Sequence, residues 1–368
     1  MSAAGCKPSK TGVISMGVRC PIIRKGDDLR KGVVEWVIDA LEENSMWFGN
    51  KDVICITESV VARAQGNYVT VDDIVEFLRS HNYSKRLELY LPIMSRNRFS
   101  IILKAFARYA DGINLEIDGD FDEQGNPTFE VNQFTGVNIL DYYREICKSE
   151  NCTMTVNSPY VCDYSYIDCR CHPDNPSHIS GYPRTLASIM TEPIMRADGT
   201  MSGFNKEFGL LGSNKADDET LKLFPRDCDV LCRQIQYDIK SKYDKDVEVL
   251  VYGDGCFKDP VGGIWEFADP VTCPGFTSGL IGTPNELKLK ALADGKFAHL
   301  NGDDLALSVR IEIREKEADL VGNMASQGTT PRRYIDLLAS LADLCSGSGD
   351  KGTPVIVIKN YFKNYASQ

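Results

Sequence analysis

Residues 247–255, V-E-V-L-V-Y-G-D-G, decide how the chain is read. Apolar and β-branched residues run here without the alternation of a half-exposed strand. The segment therefore reads as a buried strand. It stops at Asp254, framed by Gly253 and Gly255 and followed by Lys258 and Asp259. Ligands of open α/β sheets gather beyond the carboxyl ends of strands, where glycines admit a close backbone approach and acids hold divalent cations through hard oxygens. The competing local reading is a tight turn in which Asp and Gly satisfy only turn geometry.

Outward from this strand the pattern repeats. Asp27-Asp28 can cap a helix with Val33, Val34, Val37, Ile38 and Leu41 on one face, and D-V-I-C-I-T (52–57) follows as a second buried strand. Periodicity predicts further helices near 71–80, 98–110, 139–150, 227–243, 285–299, 302–323 and 331–344. Strands are expected at 87–93 and 112–117, with a last one in P-V-I-V-I-K-N-Y (354–361). Such alternation places the chain in the α/β class, with mixed sheets. The expected division is an N-terminal α/β lobe over 1–118, an insertion or cap with a Cys-rich loop over 119–205, and a C-terminal α/β lobe over 206–368.

At 368 residues the chain suits about two domains of roughly 150 residues each. Its net charge of −11 argues against a nucleic-acid backbone or an anionic membrane as the main partner, and leaves room for a local basic pocket. No run approaches the ~20 apolar residues of a membrane helix, and M-S-A-A-G-C-K-P-S-K lacks the apolar centre of a signal peptide, so a cytoplasmic protein is expected. Thirteen cysteines, an odd number, exclude a complete internal disulfide framework and suit a reducing setting.

Several loops carry candidate chemistry. In F-G-L-L-G-S-N-K-A-D-D-E (208–219), glycines that expose backbone N–H groups precede Ser213, Asn214 and Lys215, which suits a nucleotide phosphate; an ordinary loop is the alternative. In P-I-M-S-R-N-R-F (92–99), Ser95, Arg96 and Arg98 stand where a helix opens and can meet an anionic substrate, or can simply be solvated. G-S-G-D-K-G-T-P (347–354) fails as a Walker loop because Lys351 precedes its glycine. D-G-D-F-D-E-Q-G (118–125) fails as a calcium loop because Glu123 and Phe129 stand where Gly and Glu are required. Cys162, Cys169, Cys171, His172 and His178 offer zinc ligands at a spacing unlike a standard finger, and free thiols in an irregular loop are the plainer reading. The sequence has no G-x-S-x-G elbow, and no G-x-G-x-x-G follows a strand.

Taken in order, four of these segments resemble one family. G-D-D-L (26–29) with D-V-I-C-I-T-E-S-V-V-A-R-A-Q-G (52–66) is similar to the G-D-D-[LI] and V-x-Q-K-[IV]-V-S-K-A-E-G signature of the coenzyme F-420 γ-glutamyl ligases. G-L-L-G-S-N-K-A (209–216) with L-F-P-R-D-C-D (223–229) resembles the family's A-G-V-D-x-S-N and L-L-P-x-D-P-D. V-L-V-Y-G-D-G (249–255) falls where the family has a strand ending in S-D-T-F-G, and L-A-S-L-A-D-L (338–344) resembles its V-A-D-E-L-A segment. The resemblance covers residues 12–110 and 205–360 and leaves the Cys/Tyr-rich middle unmatched.

The resemblance implies a fold of two intertwined lobes, a homodimer, and an enzyme that uses GTP with a divalent metal to join glutamate to a carboxylate acceptor through an acyl phosphate. Carried over, it gives Asp254 a metal and catalytic role, with Mg²⁺ or Mn²⁺ as the ion. Leu211 stands where the family has a second metal-binding Asp, so Glu58, Asp217 or Asp259 is expected to replace it, or the site is altered or absent. Gly255 replaces the family's Thr, and Glu58 with Ser59 replaces its Q-K. Ser213, Asn214, Gly253 and Gly255 are expected along the nucleotide phosphates, with Lys215, Arg96 and Arg98 steadying anionic oxygens. The choice of GTP over ATP stays open. So do a non-catalytic relative that binds a nucleotide or glutamyl ligand, a metal-dependent phosphotransferase, and an amide ligase for folate or a cell-wall precursor.

Overall fold

The computed structural model describes residues 10–91, 96–117, 127–133, 135–157, 189–190, 192–204, 209–210, 213–254, 257–258, 265–266, 271–317, 320, 333–346 and 350–367. The first third of the chain forms β1 (Ile14–Val18), α1 (Leu29–Glu43), β2 (Val53–Thr57), α2 (Glu58–Gln65), β3 (Tyr68–Thr70), α3 (Val71–Ser80), β4 (Arg86–Leu91), α4 (Arg96–Tyr109) and β5 (Gly112–Ile117). Next come α5 (Ile139–Ser149), β6 (Thr153–Asn157), β7 (Asn214–Lys215), β8 (Thr220–Lys222), α6 (Cys228–Tyr243) and β9 (Glu248–Asp254). The hairpin β10 (Phe257–Lys258) and β11 (Trp265–Glu266), then β12 (Val271–Phe276), α7 (Gly302–Glu315), α8 (Tyr334–Ser346) and β13 (Val355–Lys359) complete the series.

A five-stranded mixed sheet, ordered β1-β13-β2-β9-β12, draws its strands from both ends of the chain. β2 and β9 are parallel neighbours, and the other pairings are antiparallel. Alternate residues of each inner strand enter different cores. Ile54, Ile56, Val249, Val251, Val355 and Val357 pack with α1 and α6, while Val53, Cys55, Leu250, Tyr252, Ile356 and Ile358 pack with α8. Burial on both faces is why these strands are continuously apolar. At the edge, Gly275 of β12 is required by packing, because a Cβ there would lie 2.3 Å from the Asp229 backbone nitrogen at the start of α6. Eight described cysteines are free thiols, and burial pushes the Cys232 thiol up to about 12, which leaves it unreactive.

A second, parallel sheet, β4-β5-β6, carries α3, α4 and α5 and encloses its own core around Phe99, Phe106, Leu115 and Tyr143. A third, antiparallel sheet, β3-β8-β7, links segments near 70 and 220. Asn67, fully buried, anchors it at the end of α2. Its side chain donates to the Phe224 carbonyl at 2.9 Å and accepts from the Gly203 amide at 2.7 Å.

Most expected elements are present within a residue or two, including the helix capped by Asp28, whose carboxylate accepts from the Lys31 amide. The helix expected over 285–299 is instead one α turn, Leu289–Ala291, running into a π turn, Leu292–Lys296; Gly295 lowers the helix propensity at that point. The helix expected over 302–323 ends at Glu315. The calcium-like and Cys/His-rich loops lie outside the described residues.

Arg108 ties the parallel-sheet helices to the β7–β8 turn. Its guanidinium makes two bonds to Glu150, at 2.9 and 2.8 Å, and reaches Asp72 at 2.9 Å and Glu219 at 3.0 Å. The Arg108 guanidinium and then burial act on Glu219 in opposite senses, and the guanidinium wins, holding this carboxyl below its ordinary 4.5. A carboxylate with a depressed value stabilises the fold above its unfolded value, and that stability is lost as pH falls through the lower folded value. Arg108→Met is therefore expected to cost about 1–2 kcal/mol at neutral pH, discounted for the half-exposed Glu219. In urea titrations the gap from the parent should close as pH falls below 4.5; a gap that does not change with pH would rule out this origin.

Candidate active site

β2 and β9 run side by side, with Thr57 opposite Tyr252, so the residues that follow, Glu58 and Gly253, emerge together at one carboxyl edge. Glu58 opens α2 and is buried. Its side chain lies across Gly253, where an added Cβ would stand 2.0 Å from Glu58 Cγ. Gly253 is thus needed so that the acid can lie flat over the strand that ends in Asp254.

The third sheet supplies the opposing charge. Lys222, the last residue of β8, donates from Nζ to Glu58 Oε1 at 3.1 Å and to Ser59 Oγ at 2.7 Å. Both charged side chains are more than nine-tenths buried. β7 pairs with β8 so that Asn214 stands opposite Lys222 and Lys215 opposite Leu221. Directly opposed residues share a face, so Asn214 lies on the Lys222 face and Lys215 on the other. Lys215 Nζ meets Asp218 at 2.7 Å, a pairing that raises the lysine's pKa and lowers the acid's. Ser213 is buried and donates its hydroxyl to the Leu210 carbonyl at 2.6 Å, which closes the turn into β7.

Of the residues expected in a site, Glu58, Gly253 and Asn214 therefore converge on Lys222, and the Asp254 backbone continues β9 from the same edge. The Asp254 side chain, Gly255, Asp259 and Leu211 lie outside the described residues. Arg96 and Arg98 occupy the first turn of α4, after β4 of the parallel sheet, and their side chains also lie outside them. Among the described residues no group of three or more His, Cys, Asp or Glu side chains could hold a metal ion.

Lys222 is the member that sequence reasoning passed over, and Ser59 entered it only as the residue that stands, with Glu58, in place of the family's Q-K. The available signal was the run T-L-K-L-F (220–224), in which one lysine stands among the apolar residues Leu221, Leu223 and Phe224.

Comparison with known families decides the class. The profile of the F420-0:gamma-glutamyl ligase family matches residues 17–360, nearly the whole chain. The chain belongs to that family. No curated protein matches it. Membership makes the protein a ligase, and the mixed α/β layers agree with the family fold. The match also runs through residues 119–205, which the motif resemblance had left unassigned. Among the described residues of this F420-0 ligase relative, no helix is long and apolar enough to cross a membrane.

Proposed function

We propose that the protein is a cytoplasmic, homodimeric γ-glutamyl ligase that consumes GTP or ATP and joins the amine of glutamate to a carboxylate acceptor through an acyl phosphate. The observation that supports this most is the meeting of Glu58, Lys222 and Gly253 at the carboxyl ends of adjacent parallel strands, where α/β folds bind ligands, in a chain matched by the family from 17 to 360.

In this reading an oxygen of the acceptor carboxylate forms a bond to the terminal phosphorus as the bond to the nucleoside diphosphate breaks. The glutamate amine then forms the amide C–N bond, phosphate leaves, and the amine proton passes to solvent or a neighbouring carboxylate. The donor set suits Mg²⁺ or Mn²⁺: Glu58 follows β2 and Asp254 ends its neighbour β9, both carboxylates being hard oxygen donors, with Asp259 a further candidate. When bound, such an ion would neutralise phosphate charge. The Ser213–Asn214 turn, Gly253 and Gly255 would line the phosphates, and Arg96, Arg98 and Lys215 would steady anionic oxygens.

The expected result is a glutamate-sized mass gain on an acceptor, dependent on nucleotide and on Mg²⁺ or Mn²⁺, read by mass spectrometry across candidate acceptors. A phosphate-sized gain would instead establish a phosphotransferase. One observation favours a second reading, a relative that binds without turnover: the Glu58 carboxylate is already neutralised by Lys222. Calorimetric binding of nucleotide without phosphate release would establish it.

A further inference from the structure

Lys222 is a charge that its own sheet does not need. It lies between Leu221 and Leu223, both buried, and its side chain is 8% exposed. An apolar residue would fill that place without desolvating an ion, and a buried ion pair gives little or no stability over apolar packing of the same volume. An ammonium has three N–H donors. Two go to Glu58 and Ser59, and among the described residues no acceptor meets the third.

A second positive feature adjoins it. Ser59 lies in the first turn of α2, where amide N–H groups have no intrahelical acceptors, and the hydroxyl of the preceding Thr57 caps none of them. The ammonium and the helix N-terminus meet beside Gly253, at the edge that ends in Asp254.

We propose that Lys222 is a substrate-binding residue of the ligase, its ammonium receiving an anionic oxygen, phosphoryl or carboxylate, with the α2 first turn as the second donor. Glu58 and Ser59 act as positioning residues that hold the ammonium until the anion arrives. This rests on the ligase reading of the same edge. The competing role is purely mechanical, a staple between β8 and α2.

The test titrates the full chain, in EDTA and low salt, with inorganic tripolyphosphate and separately with L-glutamate, by calorimetry. Lys222→Met alone would leave Glu58 buried without its counter-charge, so it is combined with Glu58→Leu, and the melting temperature of the double variant is checked against the parent. The expected result is binding of at least one probe that weakens about tenfold or more in the double variant and tightens in Glu58→Gln, where the competing negative charge is gone. Loss for tripolyphosphate assigns Lys222 to the phosphoryl group, and loss for glutamate assigns it to a carboxylate. Parent-like binding of both probes by the folded double variant overturns the proposal, as does a parent that binds neither. If the double variant does not fold, Glu58→Gln decides: tighter binding supports the proposal and unchanged or weaker binding overturns it. Product formation separates the two readings. A double variant that ligates like the parent removes Lys222, and Glu58 with it, from the site but leaves the ligase reading standing, whereas Lys222-dependent binding in a protein that makes no glutamyl product removes the ligase reading alone.

Discussion

Asp254→Asn is expected to lower metal-dependent ligation by about 10²–10³-fold while the melting temperature stays within about 2 °C of the parent. Asn has the size and shape of Asp, so packing at the end of β9 is preserved. What disappears is the negative charge that lets a hard carboxylate oxygen hold a divalent cation. The sheet does not depend on that charge, because β9 is held by its parallel partner β2, its antiparallel partner β12 and apolar packing on both faces. Steady-state rates with Mg²⁺ and Mn²⁺, beside a thermal melt, check both halves. Full activity in the variant would remove Asp254 from the chemistry.

The same strand has an acid at its other end, and there the expected effect is on stability. Glu248, the first residue of β9, is 3% exposed and accepts from Lys51 Nζ at 2.6 Å, Thr277 Oγ1 at 2.6 Å and Gln236 Nε2 at 3.3 Å. Three donors from three segments converge on one carboxylate. Beside it Asp52, also buried, pairs with Lys359 of β13 and accepts from the Gly49 amide at 2.7 Å. Glu248→Ala removes the acceptor and leaves the Thr277 hydroxyl buried, while the half-exposed Lys51 returns to water, so a loss of roughly 2–3 kcal/mol is expected, with a melting temperature lower by roughly 4–10 °C. Glu248→Gln keeps the shape and one acceptor oxygen and should cost clearly less. Turnover per folded molecule should be unchanged in both, because this end of β9 lies a strand's length from Glu58 and Gly253. Equal melting of parent and Glu248→Ala would show that the cluster is not a stabilising clamp.

Two kinds of strand were legible in the sequence: β4 and β5, which alternate between buried residues and more exposed ones, and the strands buried on both faces. β2, β9 and β13 have no polar face, and length and composition marked them. The helices were legible from periodicity and from caps such as Asp28. β1 went unassigned because its residues are mostly half-buried at a sheet edge. β3, β7 and β8 are two or three residues long, too short for a period to register. β12 carries Pro274 and Gly275, which argue against a strand on propensity; an edge position and a register shift accommodate both.

The site divides in the same way. The glycine-framed acid at a strand end, the Ser-Asn turn and the order of the family motifs were readable locally, because each is a property of a few consecutive residues. The Glu58–Lys222 pair was not, since 164 residues separate its members. By itself the sequence determined the layered α/β class, the strand that ends in Asp254 and membership of a ligase family, all of which follow from local pattern and order. Only the tertiary structure decided that Lys222, and not Lys215, faces Glu58. Lys222 takes its face from the pairing of β8 with β3 and β7, and a shift of one residue between β7 and β8 would bring Lys215 onto that face as well.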